Sequence, residues 1–291
     1  ADEFRPDIIP LVNGIPLAFI EVKKPNNKNG IKAEYDRMNA RVQNKKFRRY
    51  INLTQIMVFS NNSPYDDNEV VPLEGAFYSA SSYKKLFFSH FREEDPNLIE
   101  SVPEAEEEKE NFILKDNNLV SIKHTPEYIT NRSINTPTNS IITSLFSFER
   151  FLTILKYAVA YVEKTDENGI THLEKHLMRY PQFFATKAIE TKLNQGVKNG
   201  IIWHTQGSGK TALSFYNVRY LTDYFQKCGT IAKFYFVVDR LDLLTQAANE
   251  FRARGLEVEE INSKEDFIKN IQTTGTSNNT GKATITVANI Q

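Results

Sequence analysis

The sequence predicts an α/β chain of two domains, the second a doubly wound parallel sheet, and three observations carry that reading. From about residue 200 onward, apolar β-rich runs alternate with stretches at helical spacing, the pattern of strands linked by crossover helices. One apolar run, Ile201-Ile202-Trp203, leads into Gly207-Ser208-Gly209-Lys210-Thr211 just ahead of a helical stretch, which places a glycine-rich loop at the carboxyl edge where such sheets bind ligands. At its other end the chain opens on two β-rich runs separated by Asn13-Gly14-Ile15-Pro16, a hairpin signal. With 291 residues and 40% apolar content, the chain can bury about two cores. The boundary is placed near residue 150, giving domains 1–150 and 151–291.

Taken in order, residues 7–12 and 17–23 are expected strands, 30–50 a polar helix and 51–60 a buried strand, followed by a turn-rich loop over 61–68. Residues 77–91 are aromatic and expected to pack on the first domain. The acidic run Glu104 to Glu110 reads as a solvated face, and 134–140 as a linker entering an amphipathic helix over 146–162. The second half then reads strand 200–204, helix 212–227, strand 230–239, helix 241–254, strand 256–261, helix 264–272 and strand 283–288.

Composition narrows the function. Lys plus Arg and Asp plus Glu stand at 36 each, so any nucleic-acid contact must be local. A single cysteine, Cys228, excludes an internal disulfide and a cysteine zinc site. No apolar stretch reaches membrane-spanning length, and the opening residues are neither a signal nor a transit peptide. These features predict a soluble protein of a reducing, cytoplasmic compartment, with the chain entered in mid-sequence. The five histidines are scattered and assigned no metal, and Trp203 is expected in the core.

The glycine-rich segment Thr205, Gln206, Gly207, Ser208, Gly209, Lys210, Thr211 suits a nucleotide triphosphate. Its glycines let backbone N–H groups approach phosphates, Lys210 can reach the outer phosphates, and Thr211 can hold the accompanying Mg²⁺. The following helix aims its positive end at the same anion. His204 stands where the loose phosphate-loop pattern has its first glycine.

Asp7, Glu21 and Lys23 form a second constellation. Glu21 and Lys23 share a strand face because side chains alternate. A two-residue Asn13-Gly14 turn would set Asp7 against Ile20, whereas a three-residue loop over 13–15 sets it across from Glu21; the longer register is expected. Two carboxylates on one face suit a hard divalent ion, Mg²⁺, with the Val22 carbonyl as a further ligand. Such an ion can deprotonate water and stabilise a phosphodiester transition state, with Lys23 orienting the water. Nearby, Arg37, Arg41, Lys45 and Arg48 are expected on one helix face, a stripe able to hold DNA phosphates without reading bases.

The run from Arg5 to Pro25 resembles the PD-(D/E)xK nuclease core of the R (HsdR-type) subunits of type I restriction enzymes. Residues 203–211 and 236–246 are similar to motifs I and Ia of the superfamily 2 helicase motor in the same subunits, whose members often drop the first phosphate-loop glycine. The resemblance, carried by these motifs in this order, covers nearly the whole chain. The resemblance implies a nuclease-like mixed-sheet domain followed by an incomplete RecA-like domain, with Asp7 and Glu21 as metal ligands and Lys23 catalytic. It also implies ATP on residues 205–211, adenine read by Gln182, the translocated strand near residues 239–246, and the opening of the next DNA-contacting motif at 286–291.

The sequence departs from the family in two places. No glutamine-x-x-x-tyrosine element follows Lys23, since Gln43 and Tyr50 are wrongly spaced, and the post-lysine helix is left unassigned. No acidic motif for ATP hydrolysis precedes Gln291, so the chain alone is not expected to hydrolyse ATP. The implied function is Mg²⁺-dependent cleavage of double-stranded DNA coupled to ATP-driven translocation, with specificity and methyltransferase subunits as partners. The rivals are a helicase-like ATP-binding protein with an inactive nuclease-like domain, and a nucleotide-gated binding module.

Overall fold

The computed structural model describes residues 4–25, 29–65, 74–81, 85–100, 105–273 and 283–290; Glu104 and Gln291, named above, lie outside the described residues, as do parts of the 61–68 and 77–91 segments. The chain divides into two compact units, residues 1–154 and 155–291.

The first unit begins with β1 (Leu11–Val12), β2 (Ile15–Pro16) and β3 (Ala18–Val22), followed by α1 (Gly30–Gln43), α2 (Arg48–Leu53), β4 (Ile56–Ser60), β5 (Ala76–Ser79) and β6 (Ser89–His90). Strands β3 to β6 form one sheet in chain order. β3 and β4 run parallel because α1 and α2 carry the chain back between them, and the remaining pairs are antiparallel. The sheet is therefore mixed. Alternation sorts its side chains onto two faces. Phe19, Met57, Phe59 and Phe77 pack with Ile31, Met38 and Val42 of α1 in one core. On the other face Ser60 meets Thr138, Oγ to Oγ1 at 2.8 Å.

The unit closes with α3 (Pro96–Glu100), α4 (Glu107–Asp116), α5 (Pro126–Asn131), α6 (Pro137–Phe146) and α7 (Phe148–Thr153). The segment expected as a linker is thus largely helix α6, with Ile141 and Leu145 buried.

The second unit departs from the sequence reading at its start. The expected helix over 146–162 stops: after a π-turn at Ile154–Ala158, the chain forms β7 (Val159–Thr165), paired with β8 (Thr171–Leu177). Asp166 closes the hairpin turn by accepting from the Asn168 and Ile170 N–H groups, and Gly169 adopts φ 77°. Val159, Val162 and Thr165 are β-branched, and cross-strand pairing decided a pattern that fits either element. His172 and His176 therefore lie on a strand, both facing Glu174 at 3.4 and 3.1 Å.

Lys175 is buried to 4% exposure, and burial pushes its ammonium down to about 8. An unfolded lysine titrates near ~10.4. Between pH 8 and about 10.4 the unfolded state binds more protons, so this residue makes stability rise with pH across that window. Lys175→Met is expected to stabilise the unit at pH 7 by up to about 3 kcal/mol, with the gain gone by about pH 11. Paired thermal melts at the two pH values check this, and an equal gain at both would refute it.

Next come α8 (Tyr180–Asn194), α9 (Lys210–Lys227), β9 (Tyr235–Val238), α10 (Leu241–Ala253), β10 (Glu257–Ile261), α11 (Lys264–Gln272) and β11 (Thr284–Asn289). The sheet is all parallel with order β10-β11-β9, as strand-helix-strand alternation requires. Helix α10 presents Leu244, Ala247, Ala248 and Phe251 to the interior. Among the described residues no helix is long and apolar enough to cross a membrane.

Candidate functional site

The geometry at Asp7 comes from a hairpin that changes register. Asn13 and Gly14 take φ 50° and 78°, giving a two-residue turn that pairs Val12 with Ile15 and Leu11 with Pro16. The three-residue loop expected from the sequence does not form, because Asn-Gly readily supplies two consecutive left-handed residues. Further along, Ile8 bridges Ile20, through N–H to O contacts of 3.1 and 2.9 Å. The return strand has taken up one extra residue between Pro16 and Ile20, as in a bulge, where the Leu17 N–H folds back onto the Ile15 carbonyl at 3.0 Å. The shift places Asp7 opposite Glu21, and Asp7 Oδ2 accepts the Val22 N–H at 2.8 Å.

Lys23 Nζ reaches Glu21 Oε2 at 3.0 Å and stands 3.9 Å from Asp7 Oδ2. A third carboxylate, which sequence reasoning missed, faces the same ammonium: Glu34 of α1, with Oε2 at 3.4 Å. Glu34 is 1% exposed, whereas the Asp7 side chain is 47% exposed. Burial raises the Glu21 carboxyl above its ordinary range, Glu34 and Asp7 push the same way, and Lys23 only partly offsets them. For Lys23, burial pulls down, but the Glu21 hydrogen bond and the three carboxylates outweigh it and raise the ammonium. Glu21 thus moves upward chiefly through burial and Lys23 through the carboxylates around it.

The basic stripe is not one helix face. Helix α1 ends at Gln43, Asn44 turns extended at φ −80° and ψ 120°, and its side chain caps a short 3₁₀ turn over Lys45–Phe47 before α2 starts at Arg48. Asparagine bonds its own following backbone readily, so it interrupts a helix that periodicity would continue. Arg37 and Arg41 both pair with Glu34, at 2.5 and 3.1 Å, and the Arg41 guanidinium lies 4.4 Å from the Phe4 ring. Lys45 and Arg48 are exposed.

In the second unit, residues 205–209 form a loop that ends at Gly209, the left-handed N-cap of α9 at φ 81°, and Lys210 and Thr211 open the helix. Gly207 is also left-handed, at φ 76°. Lys210 Nζ donates to the Thr205 carbonyl at 2.8 Å, tying the first residue of the helix back to the start of the loop. Gln182 is buried. Its Nε2 donates to the Gly209 and Ser208 carbonyls at 3.0 and 3.3 Å, and its Oε1 accepts the Arg179 N–H at 2.9 Å. Thr211, in the first turn of α9, is partly buried.

Residues 200–204 form no strand. Ile201 and Trp203 are 90% and 91% exposed, which corrects both the expected strand and the core placement of Trp203. An apolar run becomes a strand only when a neighbour supplies ladder hydrogen bonds, and none of the described strands pairs with it.

Two family matches fall on these two sites. Residues 181–288 match the SWI2/SNF2 ATPase family, and residues 1–65 match the type I restriction enzyme R protein N terminus. The glycine-rich loop and parallel sheet thus lie in a segment similar to the SWI2/SNF2 ATPase family, which follows a mixed α/β unit bearing the acidic cluster. With the R-protein domain ahead of the ATPase segment, the chain belongs to the R (HsdR-type) endonuclease subunits of type I restriction enzymes.

The MjaVIIP type I restriction enzyme endonuclease subunit of Methanocaldococcus jannaschii is 36% identical over 141 residues, 44% of this chain and 13% of the relative. The MjaIXP endonuclease subunit of the same organism is 25% identical over 270 residues, 89% of this chain and 22% of the relative. A Staphylococcus aureus type I endonuclease subunit is 39% identical over 74 residues, 25% of this chain and 8% of its own length. The matches thus span well under a third of each relative's length.

Proposed function

We propose that the first unit is a PD-(D/E)xK-type, Mg²⁺-dependent DNA endonuclease domain and the second a RecA-like motor segment that binds ATP. In the longer protein, ATP-driven translocation of double-stranded DNA would be coupled to phosphodiester cleavage, in a cytoplasmic complex with specificity and methyltransferase subunits. The observation that carries this reading is the register shift that sets Asp7 against Glu21, with the Lys23 ammonium between them.

The acidic cluster fits a divalent metal. Among the described residues no ready three-ligand cage of His, Cys, Asp or Glu exists, but the carboxylates of Asp7 and Glu21 converge on a point already occupied by positive charge. Mg²⁺ keeps several waters and needs only one or two carboxylates. Asp7 and Glu21 would hold it, and the Val22 carbonyl is the candidate third oxygen. When bound, the ion supplies Lewis acidity and an acidified water. Lys23 would orient the attacking water and balance charge on the phosphodiester. A cation beside Glu21 would offset the burial that raises its carboxyl.

The phosphate loop fits a triphosphate. The Ser208 hydroxyl is buried without a hydrogen-bond partner, between two left-handed glycines, Gly207 and Gly209. Lys210 and Thr211 would meet the outer phosphates and their Mg²⁺, with Thr205, Gln206, Gly207, Ser208 and Gly209 lining the cradle. Gln182 is the candidate adenine contact, a role that requires its amide to release the Arg179 N–H and the Ser208 and Gly209 carbonyls it holds here.

Calorimetric titration of Mn²⁺ into the wild-type chain and Glu21→Ala tests the nuclease reading. Binding in the wild type that is lost in the variant is expected. No binding in either would leave the phosphate loop as the operative site and favour a helicase-like ATP-binding protein with an inactive first unit.

Phosphate contacts from DNA are assigned to Arg37, Lys45 and Arg48, while Arg41 serves mainly to hold Glu34 and Phe4. Lys45→Glu with Arg48→Glu should weaken DNA binding and lower the salt slope by about 2. An unchanged slope would remove these residues from the interface.

A further inference from the structure

We infer that Glu34 is the positioning residue for Lys23, the anchor that keeps the ammonium at the site when Glu21 is engaged by a divalent cation. This rests on the nuclease reading above and extends it to a residue on the post-lysine helix, which the sequence motifs left unassigned.

Glu34 is a carboxylate 1% exposed, a state a protein keeps only with cationic or hydrogen-bonding partners. Its two oxygens divide them. Oε1 takes Arg41 at 3.1 Å, and Oε2 takes Arg37 at 2.5 Å and Lys23 at 3.4 Å. The two arginines suffice to neutralise one carboxylate, so the approach to Lys23 needs a separate account. Glu34 stands on α1, whereas Glu21 and Lys23 belong to the β3 strand and its end. The ammonium is thus gripped from two different elements, by Glu21 at 3.0 Å and by Glu34 at 3.4 Å.

The consequence follows from charge. A divalent cation on Asp7 and Glu21 competes with the ammonium for the same Glu21 oxygen and repels it. Lysine is a compact charge on a flexible four-carbon stem, and with Glu21 as its sole anchor it would swing away. Glu34 offers a second carboxylate within a small rotation. Glu34 is itself fixed, because Arg41 pins it while lying over the Phe4 ring at 4.4 Å, and Phe4 packs edge-on against Phe19 at 5.3 Å and Tyr50 at 5.5 Å. Metal and lysine can then occupy the site together.

A double-mutant cycle read by Mn²⁺ calorimetry on the full chain tests this, using wild type, Glu34→Gln, Lys23→Met and the double variant. Glu34→Gln is expected to weaken Mn²⁺ binding about tenfold, because the ammonium then clings to Glu21. In the Lys23→Met background the same substitution should have a much smaller effect. Equal effects in both backgrounds would show that Glu34 acts through bulk charge or packing alone, overturning the inference while leaving the nuclease reading in place. A wild-type chain that binds no Mn²⁺ would overturn both. If Glu34→Gln does not fold, Glu34→Asp carries the same cycle, since it keeps a charge for the arginines while drawing back from Lys23.

Discussion

Phe59→Ala is expected to destabilise the first unit by about 3–5 kcal/mol. Phe59 is fully buried, stacks on Phe88 with centroids 4.6 Å apart, and meets Phe19 edge-on at 5.8 Å. Removing the ring forfeits transfer free energy and leaves a void that Phe19, Met57 and Phe77 cannot fill without leaving their rotamers. Phe59 also pairs with Glu21 in the β3–β4 ladder, so the same cavity loosens the strand that carries the acidic cluster. Amide hydrogen exchange reads each unit separately. Protection over 56–60 should fall by a factor of about 10² to 10⁴, while protection over 244–251 in α10 stays as it was. Unchanged exchange in β4 would show that this core does not hold the sheet.

Gly209→Ala is expected to have the largest effect on the phosphate loop. The residue sits at φ 81°, and a Cβ there would fall 2.5 Å from Gln182 Nε2. Left-handed backbone alone costs an alanine about 1–2 kcal/mol. The close contact would in addition displace the Gln182 amide from the Ser208 and Gly209 carbonyls. ATP affinity, measured with a fluorescent nucleotide, should drop at least about tenfold, with helix α9 still formed. Gln182→Ala removes the colliding amide, so adding Gly209→Ala in that background should cost less than it does in the wild type. Equal losses in the two backgrounds would mean that the backbone conformation, and not the Gln182 contact, sets the penalty.

These two sites differ in how far the sequence exposes them. The loop glycines, Lys210 and Thr211 are adjacent in the chain, and helices α9, α10 and α11 begin and end within two residues of where caps and periodicity place them. Asp7, Glu21 and Lys23 were legible as residues, yet their alignment depended on an extra residue at Leu17 that no turn signal announces. The break at Asn44, the strand over 159–165 and the exposure of Trp203 were not legible, because each depends on what the neighbouring chain supplies in space.

By itself, then, the sequence determined the local chemistry of this protein: closely spaced glycines, a lysine and a threonine ahead of a helix, two carboxylates and a lysine on neighbouring strands, and an alternation of apolar runs and helices that buries itself as a parallel sheet. Local backbone preference and short-range periodicity act within a few residues and so are written in order along the chain. Only the tertiary structure decided that Asp7 faces Glu21, that Gln182 grips the phosphate loop, and that Glu34 is buried against Lys23, Arg37 and Arg41 rather than solvated on a polar helix. These are long-range pairings, set by register and by the cost of burying unpaired charge, and their energies exist only once the partner elements are packed together.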